Sequence, residues 1–392
     1  MTNDPKTVYH VLGLMSGTSL DGLDIAFCRF EHIEGRWNYQ ILHAETVPYS
    51  SEWKSRLQHL DKQSAGDLAF ADSNLGHLMG QMVKDFIGKH RINPDFIASH
   101  GQTIFHSPGE RWTTQIGKGA AIAAETGIPV VCDFRSTDVA LGGQGAPLVP
   151  IGDQLLFTEY NYCLNLGGFA NISFEQGGKR IAYDICPANM VLNTLSDIAG
   201  KPFDENGDLA RNGILIPDLL EKLNQLPFYH QPPPKSLGKE WVDAHILPLI
   251  TDTGYGIRDA GCGIRDKGYG IRDMGFGIRD AGSEIADRGS RIADLLHTFC
   301  EHIAIQVGKN TGTNRVDILL ITGGGALNTF LIERIRHHAA PEVVLPDLQT
   351  IQFKEALIFA FLGLLRWRGE VNCLSSVTGA AKNNIGGAIY LG

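Results

Sequence analysis

The chain has 392 residues, 43% of them hydrophobic, and 43 acidic against 34 basic side chains give a formal net charge of -9. This length predicts two domains of about 150–200 residues each. No basic tract is present, so the composition argues against a nucleic-acid partner. The longest apolar run, residues 356–365, is shorter than a membrane span of about 20 residues. Seven cysteines without a CxxC pair, and a start without a signal-peptide pattern, predict a cytoplasmic protein.

Taken in chain order, the predicted elements open with two β-prone runs, 9–14 and 23–30, joined by Gly, Ser, Thr and Asp. A helix at 68–92, a strand at 96–99, a helix at 114–126 and a strand at 129–134 follow. After a Gly-rich connector at 141–150, a second strand–turn–strand occupies 162–174. The later predictions are a strand end at 181–184, a strand at 316–322 and helices at 190–199, 328–338 and 353–368. The repeated opening predicts two related halves facing one cleft, with the hinge near the connector.

A seven-residue repeat interrupts this plan between residues 254 and 295, beginning GYGIRDA, GCGIRDK, GYGIRDM, GFGIRDA. Two glycines per repeat disfavour a helix in these first four copies. The last two copies lose the second glycine and lead into an apolar helical pattern. The repeat at about 254–288 is therefore interpreted as a tandem insertion that forms a surface loop or extends the following helix, with a binding module built from the repeats as the alternative.

Three glycine-rich turns are candidate phosphate sites. The first, SGTSLDG at 16–22, offers backbone N–H groups and hydroxyls between two strands. It lacks the lysine and the spacing of a P-loop. The second is NLGGFAN at 165–171, and the third, TGGGALN at 322–328, leads from a strand into a helix N-terminus. One such turn is explained equally well by a tight hairpin, but three together indicate a nucleotide site.

Two hairpins followed by a strand–GGG–helix resemble the superfamily of actin, sugar kinases and heat-shock chaperones. Along nearly its whole length the chain resembles the anhydro-N-acetylmuramic acid kinase family. The matching motifs are GLMSGTSLDGLD at 13–24, SHGQT at 99–103, QIG at 115–117, DFRSTDVALGGQGAPLVP at 133–150, NLGGFANIS at 165–173, YDICPANMVLN at 183–193, KSLGKEW at 235–241, TGGGALN at 322–328, KEALIFAFLG at 354–363 and SSVTGA at 375–380. The resemblance implies an α/β fold of two ribonuclease-H-like, actin-like ATPase domains around a nucleotide cleft. Their predicted bounds are 1–140 plus 375–392, and 141–374.

The resemblance also implies an activity: water opens the 1,6-anhydro bridge of the cell-wall sugar while the ATP γ-phosphate moves to O6, with Mg²⁺ as cofactor. A carboxylate suits activation of the water, and the implied base is Asp184. The implied cofactor-binding residues are Gly17, Thr18, Ser19, Leu20, Asp21, Gly22, Leu23, Asp24, Gly167, Gly168, Asn171, Gly323, Gly324, Gly325 and Asn328. The implied substrate-binding residues are His100, Gln102, Asp133, Arg135, Asn189 and Glu355. No protein ligand set for a metal is predicted, and a homodimer is plausible by resemblance.

One stretch departs from the commoner family pattern YDTGPGNMLMD. Ile185, Cys186, Ala188 and Asn193 replace Thr, Gly, Gly and Asp around the retained Asp184. Cys186 is interpreted as a buried thiol rather than a nucleophile. Two other functions stay open at this point: an ATPase module of the chaperone or filament type, and a glycoside hydrolase that uses Asp184 without ATP.

Overall fold

The computed structural model describes residues 7–17, 20–252 and 281–392. Thr18, Ser19 and most of the predicted 254–288 insertion lie outside these residues. The strands are β1 Val8–Met15, β2 Gly22–Ile33, β3 Arg36–Pro48, β4 Phe96–Ser99, β5 Gln102–Ser107, β6 Trp112–Ile116, β7 Val130–Cys132, β8 Tyr162–Leu166, β9 Phe169–Gln176, β10 Lys179–Pro187, β11 Ile318–Thr322, β12 Glu342–Val344 and β13 Ala388–Tyr390.

The α-helices vary from one turn to eight turns. They are α1 Ser51–His59, α2 Ala65–His90, α3 Gly119–Thr126, α4 Ser136–Ala140, α5 Pro150–Leu156, α6 Asn189–Ile198, α7 Asp208–Asn212, α8 Pro217–Asn224, α9 Lys239–His245, α10 Leu247–Asp252, α11 Ala281–Asn310, α12 Thr329–His338, α13 Leu348–Arg368 and α14 Ser375–Thr378. The last two copies of the heptad repeat, residues 282–295, lie in α11, as predicted.

Two compact units divide the chain. The first contains the described residues up to Glu159, together with Ser173–Ala182 and Asp347–Gly392. The second contains Tyr160–Ile172 and the described part of Tyr183–Pro346. These bounds differ from the predicted domains, since the connector at 141–150 lies inside the first unit and the chain returns to that unit at Asp347 rather than at 375. The return is earlier because α13 packs directly on the first sheet: a Cβ on Gly13 would lie 2.0 Å from the Ala356 carbonyl oxygen.

The two main sheets have the same strand order. The first runs β13-β7-β4-β1-β2-β3, and the second runs β10-β9-β8-β11-β12. Numbered within each sheet, both contain the order 3-2-1-4-5. In the first sheet β1, β2 and β3 are antiparallel neighbours, whereas β4 is parallel to β1 and β7 is parallel to β4. This shared order confirms that the sequence contains two ribonuclease-H-like halves.

Apolar residues of the first sheet and of α2 form one buried core. Leu12, Leu14 and Ile25 are fully buried and pack with Leu75 and Phe86 of α2. The helix begins with a capping box, in which the Ser64 hydroxyl and the Asp67 carboxylate accept each other's backbone N–H groups. The predicted helix at 68–92 is thereby confirmed, with its bounds at Ala65–His90. This core fixes the positions of the strand ends from which the first glycine turn departs.

One predicted helix is wrong in its first part. Residues 114–116 lie in β6, which pairs antiparallel with β5, and the helix α3 begins only at Gly119. The Thr113–Gln115 stretch is β-prone, and pairing with β5 outweighs its helical pattern. The strand predictions at 9–14, 96–99 and 162–166 and the helix predictions at 190–199, 328–338 and 353–368 are confirmed to within a few residues.

Within the described residues, one helix, Leu348–Arg368, is long and apolar enough to cross a membrane. In its most apolar window, 78% is buried inside the protein. Burial of this extent is typical of a core helix.

Candidate active site

The first glycine turn joins β1 to β2 and is braced at its base. The Ser16 hydroxyl donates to Gln102 Oε1 at 2.6 Å and lies 2.8 Å from the Tyr49 hydroxyl. Leu20 has a φ of +57°, a left-handed conformation that is uncommon for a residue with a branched side chain. The Leu20 N–H donates to the Gly17 carbonyl at 3.2 Å. The predicted substrate residue Gln102 therefore holds the first glycine turn in this structure through Ser16, and Tyr49 is a turn-shaping residue that the sequence analysis did not name.

Residues 20–24 of this turn divide into core and polar positions. The side chains of Leu20 and Leu23 belong to the buried core, so contact with a nucleotide would come from their backbones. Gly22 is buried where β2 begins, whereas Asp21 is exposed and Asp24 is half-buried. Burial raises the pKa of Asp24, the Thr46 hydroxyl that donates to it at 2.5 Å lowers it, and the charge of Asp21 raises it again. Asp21 and Asp24 thus offer carboxylate oxygens where the turn enters β2.

His100, Arg135 and Glu355, three of the predicted substrate-binding residues, all lie in the first unit and act on one another. Arg135 Nε and Nη2 donate to His100 Nε2 at 3.0 and 2.8 Å, and Arg135 Nη1 donates to the Gly145 carbonyl at 2.6 Å. Burial lowers the pKa of Arg135 to about 10, against the opposing charge of Glu355. The pKa of the Glu355 carboxyl is raised by burial and by the charge of Asp24, and the charge of Arg135 opposes this rise only in part. The group can present a guanidinium and a carboxylate to a polar substrate.

Asp133 is held in a left-handed backbone conformation, with a φ of +59°. Its carboxylate Oδ1 accepts hydrogen bonds from the Ser136 N–H at 3.3 Å and the Ser136 hydroxyl at 2.6 Å, and so gives a partner to the first N–H group of α4. Asp133 and His100 both line a cavity of about 360 Å³. The Ser99 hydroxyl, also in the lining, is buried and has no hydrogen-bond partner among the residues that the structure describes. The cavity thus offers polar groups to a small ligand.

Asp138 was missed by the sequence analysis, although it lies inside the quoted motif DFRSTDVALGGQG. Its fully buried carboxylate accepts hydrogen bonds through Oδ1 from Thr378, Asn384 and Cys373 at 2.8, 2.8 and 3.0 Å. Through Oδ2 it accepts from the Gly145 N–H at 2.8 Å. A buried carboxylate with four donors is a structural centre. It fixes the glycine-rich connector and, through Gly145, the loop that Arg135 contacts.

The second glycine turn lies between β8 and β9 in the second unit. Gly168 is exposed, and its carbonyl accepts from the N–H groups of Ala188 and Met190 at 2.9 and 3.1 Å. The Asn189 N–H donates to Gly167 at 3.1 Å, and its Nδ2 donates to Leu166 at 3.0 Å. Asn189, predicted to bind substrate, therefore shapes this turn. The predicted cofactor residue Asn171 lies further along β9 and is half-buried.

The third turn follows β11, the strand parallel to β8. Gly323 has φ +83° and ψ 165°, a region essentially restricted to glycine. A Cβ there would lie 2.4 Å from Asn165 Oδ1, and one on Gly325 would lie 2.7 Å from the Leu166 Cβ. Gly324 is exposed. The Asn328 side chain caps α12 by accepting from the Leu331 N–H at 2.9 Å. The close approaches of Gly323 to Asn165 and of Gly325 to Leu166 show that the second and third turns lie together in one unit.

Asp184 lies on β10 and is held by a segment distant in sequence. Its N–H donates to the Lys235 carbonyl at 3.1 Å, and its Oδ2 accepts from the Leu237 N–H at 2.8 Å. Burial raises the pKa of Asp184, and the Leu237 N–H lowers it. Cys186 is fully buried, which raises the pKa of its thiol and agrees with the prediction of an inert cysteine. A partly buried carboxylate of raised pKa is a suitable general base.

Two sheets of ribonuclease-H-like order, with glycine turns after the first strand of each, define the class of two-domain actin-like proteins. The model of one family, described as anhydro-N-acetylmuramic acid kinase, matches residues 9–252 and 281–392. The chain belongs to this family and is an enzyme. The match leaves out residues 253–280, which contain most of the heptad repeat.

Curated relatives agree with the family. An anhydro-N-acetylmuramic acid kinase of Sulfurovum sp. (strain NBC37-1) is 31% identical over 396 residues, covering 97% of this chain and 98% of the relative. That of Pasteurella multocida (strain Pm70) is 40% identical over 250 residues, or 60% of this chain and 64% of the relative. Among solved structures, the activator of the 2-hydroxyisocaproyl-CoA dehydratase from Clostridium difficile with bound ADPNP has a TM-score of 0.41 at 11% identity, covering 92% of this chain and 96% of that one.

Proposed function

We propose that this kinase opens 1,6-anhydro-N-acetylmuramic acid with water and phosphorylates its O6 from ATP, giving N-acetylmuramic acid 6-phosphate and ADP. Family membership supports the substrate. The observation that carries the chemistry is the Asp184 carboxylate, half-buried and aimed by the Leu237 N–H at 2.8 Å. A base of this kind matches a reaction that needs an activated water.

In the proposed reaction, Asp184 takes a proton from water as the water oxygen bonds to C1 of the sugar. The C1–O6 bond breaks, and O6 bonds to the γ-phosphorus as the bond from that phosphorus to the ADP oxygen breaks. Arg135, His100 and Glu355 are assigned to substrate binding, together with Asp133. The three glycine turns are assigned to ATP, because backbone N–H groups in glycine-rich turns can hold phosphate oxygens.

Asp21 and Asp24 are the residues that fit a Mg²⁺ ion at the first turn. Both carry carboxylate oxygens in the segment 20–24, and oxygen ligands are those that Mg²⁺ prefers. Within the described residues no group of three or more metal-ligating side chains occurs. Mg²⁺ commonly binds through one or two carboxylates plus phosphates and water, and when bound it neutralises phosphate charge. We further propose a cytoplasmic location and small-molecule substrates, without nucleic acid or membrane, and a possible homodimer.

One assay tests this function against its alternatives. The protein is incubated with ATP, Mg²⁺ and the anhydro-sugar in water enriched in oxygen-18, and the products are identified by mass spectrometry. The expected products are ADP and a sugar phosphate whose phosphoryl group carries no label. ADP release at the same rate with and without the sugar, with oxygen-18 in the inorganic phosphate, would indicate an ATPase module instead. Opening of the sugar without ATP would indicate a hydrolase.

A further inference from the structure

Lys235 occupies an unusual setting in the second unit. Its Nζ donates to the Phe228 carbonyl at 3.2 Å and lies 4.7 Å from the Phe228 ring centroid and 5.9 Å from that of Tyr183. Burial lowers the pKa of the amine. The cation is thus held by a carbonyl and two aromatic faces, an arrangement that fixes the position of the lysine side chain.

The backbone that carries this side chain contacts Asp184 at two points. The Lys235 carbonyl accepts from the Asp184 N–H, and two residues later the Leu237 N–H donates to the Asp184 carboxylate. Because the Lys235 side chain is held on the Phe228 carbonyl, the segment 235–237 can keep the Leu237 N–H on the Asp184 carboxylate. Without the Lys235 side chain the segment 235–237 would have more conformational freedom, and the Leu237 N–H would leave the Asp184 carboxylate for part of the time.

The anchor point is itself firmly placed. Phe228 is buried in the short 3₁₀ helix Pro227–His230. The neighbouring Tyr229 hydroxyl lies 3.0 Å from Nε2 of His302, a buried residue of α11. His302 Nδ1 lies 2.9 Å from Asn224 Oδ1, so both ring nitrogens have partners. The Phe228 carbonyl is therefore a rigid acceptor for Lys235.

We propose that Lys235 is a positioning residue for the base Asp184. Its ammonium group holds the segment 235–237 on the Phe228 carbonyl, and the segment in turn holds the Leu237 N–H on carboxylate Oδ2. This directs the carboxylate and stabilises its charged form. The inference rests on the proposed function where it assigns Asp184 as the base.

The other titratable groups near Asp184 do not supply this effect. Tyr183 and Cys186 lie on the same strand, and burial raises the pKa of both, so they are uncharged near neutral pH. Tyr229 on the 3₁₀ helix likewise has a raised pKa because it is buried. Among the described residues, the Leu237 N–H is the hydrogen-bond donor that acts on the carboxylate, and Lys235 acts through the segment that carries this N–H.

The kinetic test compares Lys235→Met and Lys235→Arg with the matched control Lys239→Met. Lys239 is exposed in the same stretch and pairs with Asp243. In Lys235→Met we expect kcat to fall on the order of 10²-fold through misplacement of the base, with KM for ATP unchanged. The acidic limb of the pH profile should move to higher pH, because the carboxylate loses a donor. Lys235→Arg should recover much of the loss, and Lys239→Met should behave as the wild type.

A second readout does not depend on activity. The Asp184 carboxyl carbon is observed by NMR in protein labelled with carbon-13 aspartate, its signal identified by its absence in Asp184→Asn. Titration should show a higher pKa in Lys235→Met than in the wild type. If the Asp184 pKa is higher in Lys235→Met while Asp184→Asn has the kcat of the wild type, Lys235 positions Asp184 but Asp184 is not the base. An unchanged Asp184 pKa together with an unchanged kcat would overturn the inference. Lys235→Gln serves for both measurements if the Met variant does not fold.

Discussion

His100 accepts two hydrogen bonds from Arg135, from Nε at 3.0 Å and from Nη2 at 2.8 Å, both at its Nε2. Its Nδ1 lies 2.8 Å from the Gly101 carbonyl and is therefore the protonated nitrogen. The ring is fixed as one neutral tautomer, because a proton on Nε2 would remove the acceptor that the guanidinium uses. Burial and the Arg135 charge lower the pKa of His100 to about 3.

This relationship predicts a pH dependence of stability. The unfolded chain has a histidine pKa of about 6.5, above the folded value, so the unfolded state binds the proton more readily. The stabilisation is complete above pH 6.5 and is lost as the pH falls toward the folded pKa of about 3. Between these values His100 should contribute a slope of about 1.4 kcal/mol per pH unit to the free energy of unfolding.

Urea unfolding between pH 7 and pH 4.5 measures this slope. In His100→Gln the loss of free energy per pH unit should be smaller than in the wild type, whatever the stability of the variant at pH 7. His59→Gln is the control, since His59 is exposed on α1. Equal slopes in the wild type and His100→Gln would contradict a neutral buried His100.

Asp184→Asn tests the proposed base. The amide keeps the shape of the side chain and can still accept from the Leu237 N–H, but it cannot take a proton from water. We expect ATP binding to be retained and turnover to fall by about 10²–10⁴-fold. Calorimetric titration with ATP and the sugar phosphate assay measure the two effects. Turnover near that of the wild type would place the base elsewhere.

Gly323→Ala tests whether the third turn depends on its glycine. The backbone there has φ +83° and ψ 165°, and the new Cβ would lie 2.4 Å from Asn165 Oδ1. The strain should cost about 1–3 kcal/mol and weaken ATP binding by displacing the turn. Gly200→Ala is the matched control, because Gly200 has φ +75° with open space around it. A similar loss of ATP affinity in both variants would assign the effect to general destabilisation.

Deletion of residues 254–281 removes four whole copies of the heptad repeat. The family match leaves out residues 253–280, and helix α11 begins at Ala281, the last residue of the fourth copy. We therefore expect the shortened protein to fold and to keep kcat within about twofold, as a surface insertion tolerates removal. Circular dichroism and the kinase assay are the measurements. Loss of folding or of activity would contradict a surface insertion and show that the repeat is required for the folded, active enzyme.

Much of the site follows from local sequence. Glycine turns between strands were found because few residues can adopt such backbones, and the strands on either side have unbroken apolar patterns. The wrong helix prediction at residues 114–116 arises from a contact distant from the local sequence. Those residues become a strand by pairing with β5, a contact that no pattern within the stretch itself reveals.

By itself, the sequence determined the two-half organisation, the positions of the three glycine turns and the family. It also led to the prediction that Asp184 is the base. The tertiary structure decided what surrounds each of these groups. Leu237, which donates to the Asp184 carboxylate, lies 53 residues away along the chain, and Asp138 collects donors from positions more than 230 residues away. Turn conformation is dictated by a residue and its neighbours, whereas the direction and pKa of a carboxylate depend on whichever groups the fold brings within hydrogen-bond distance.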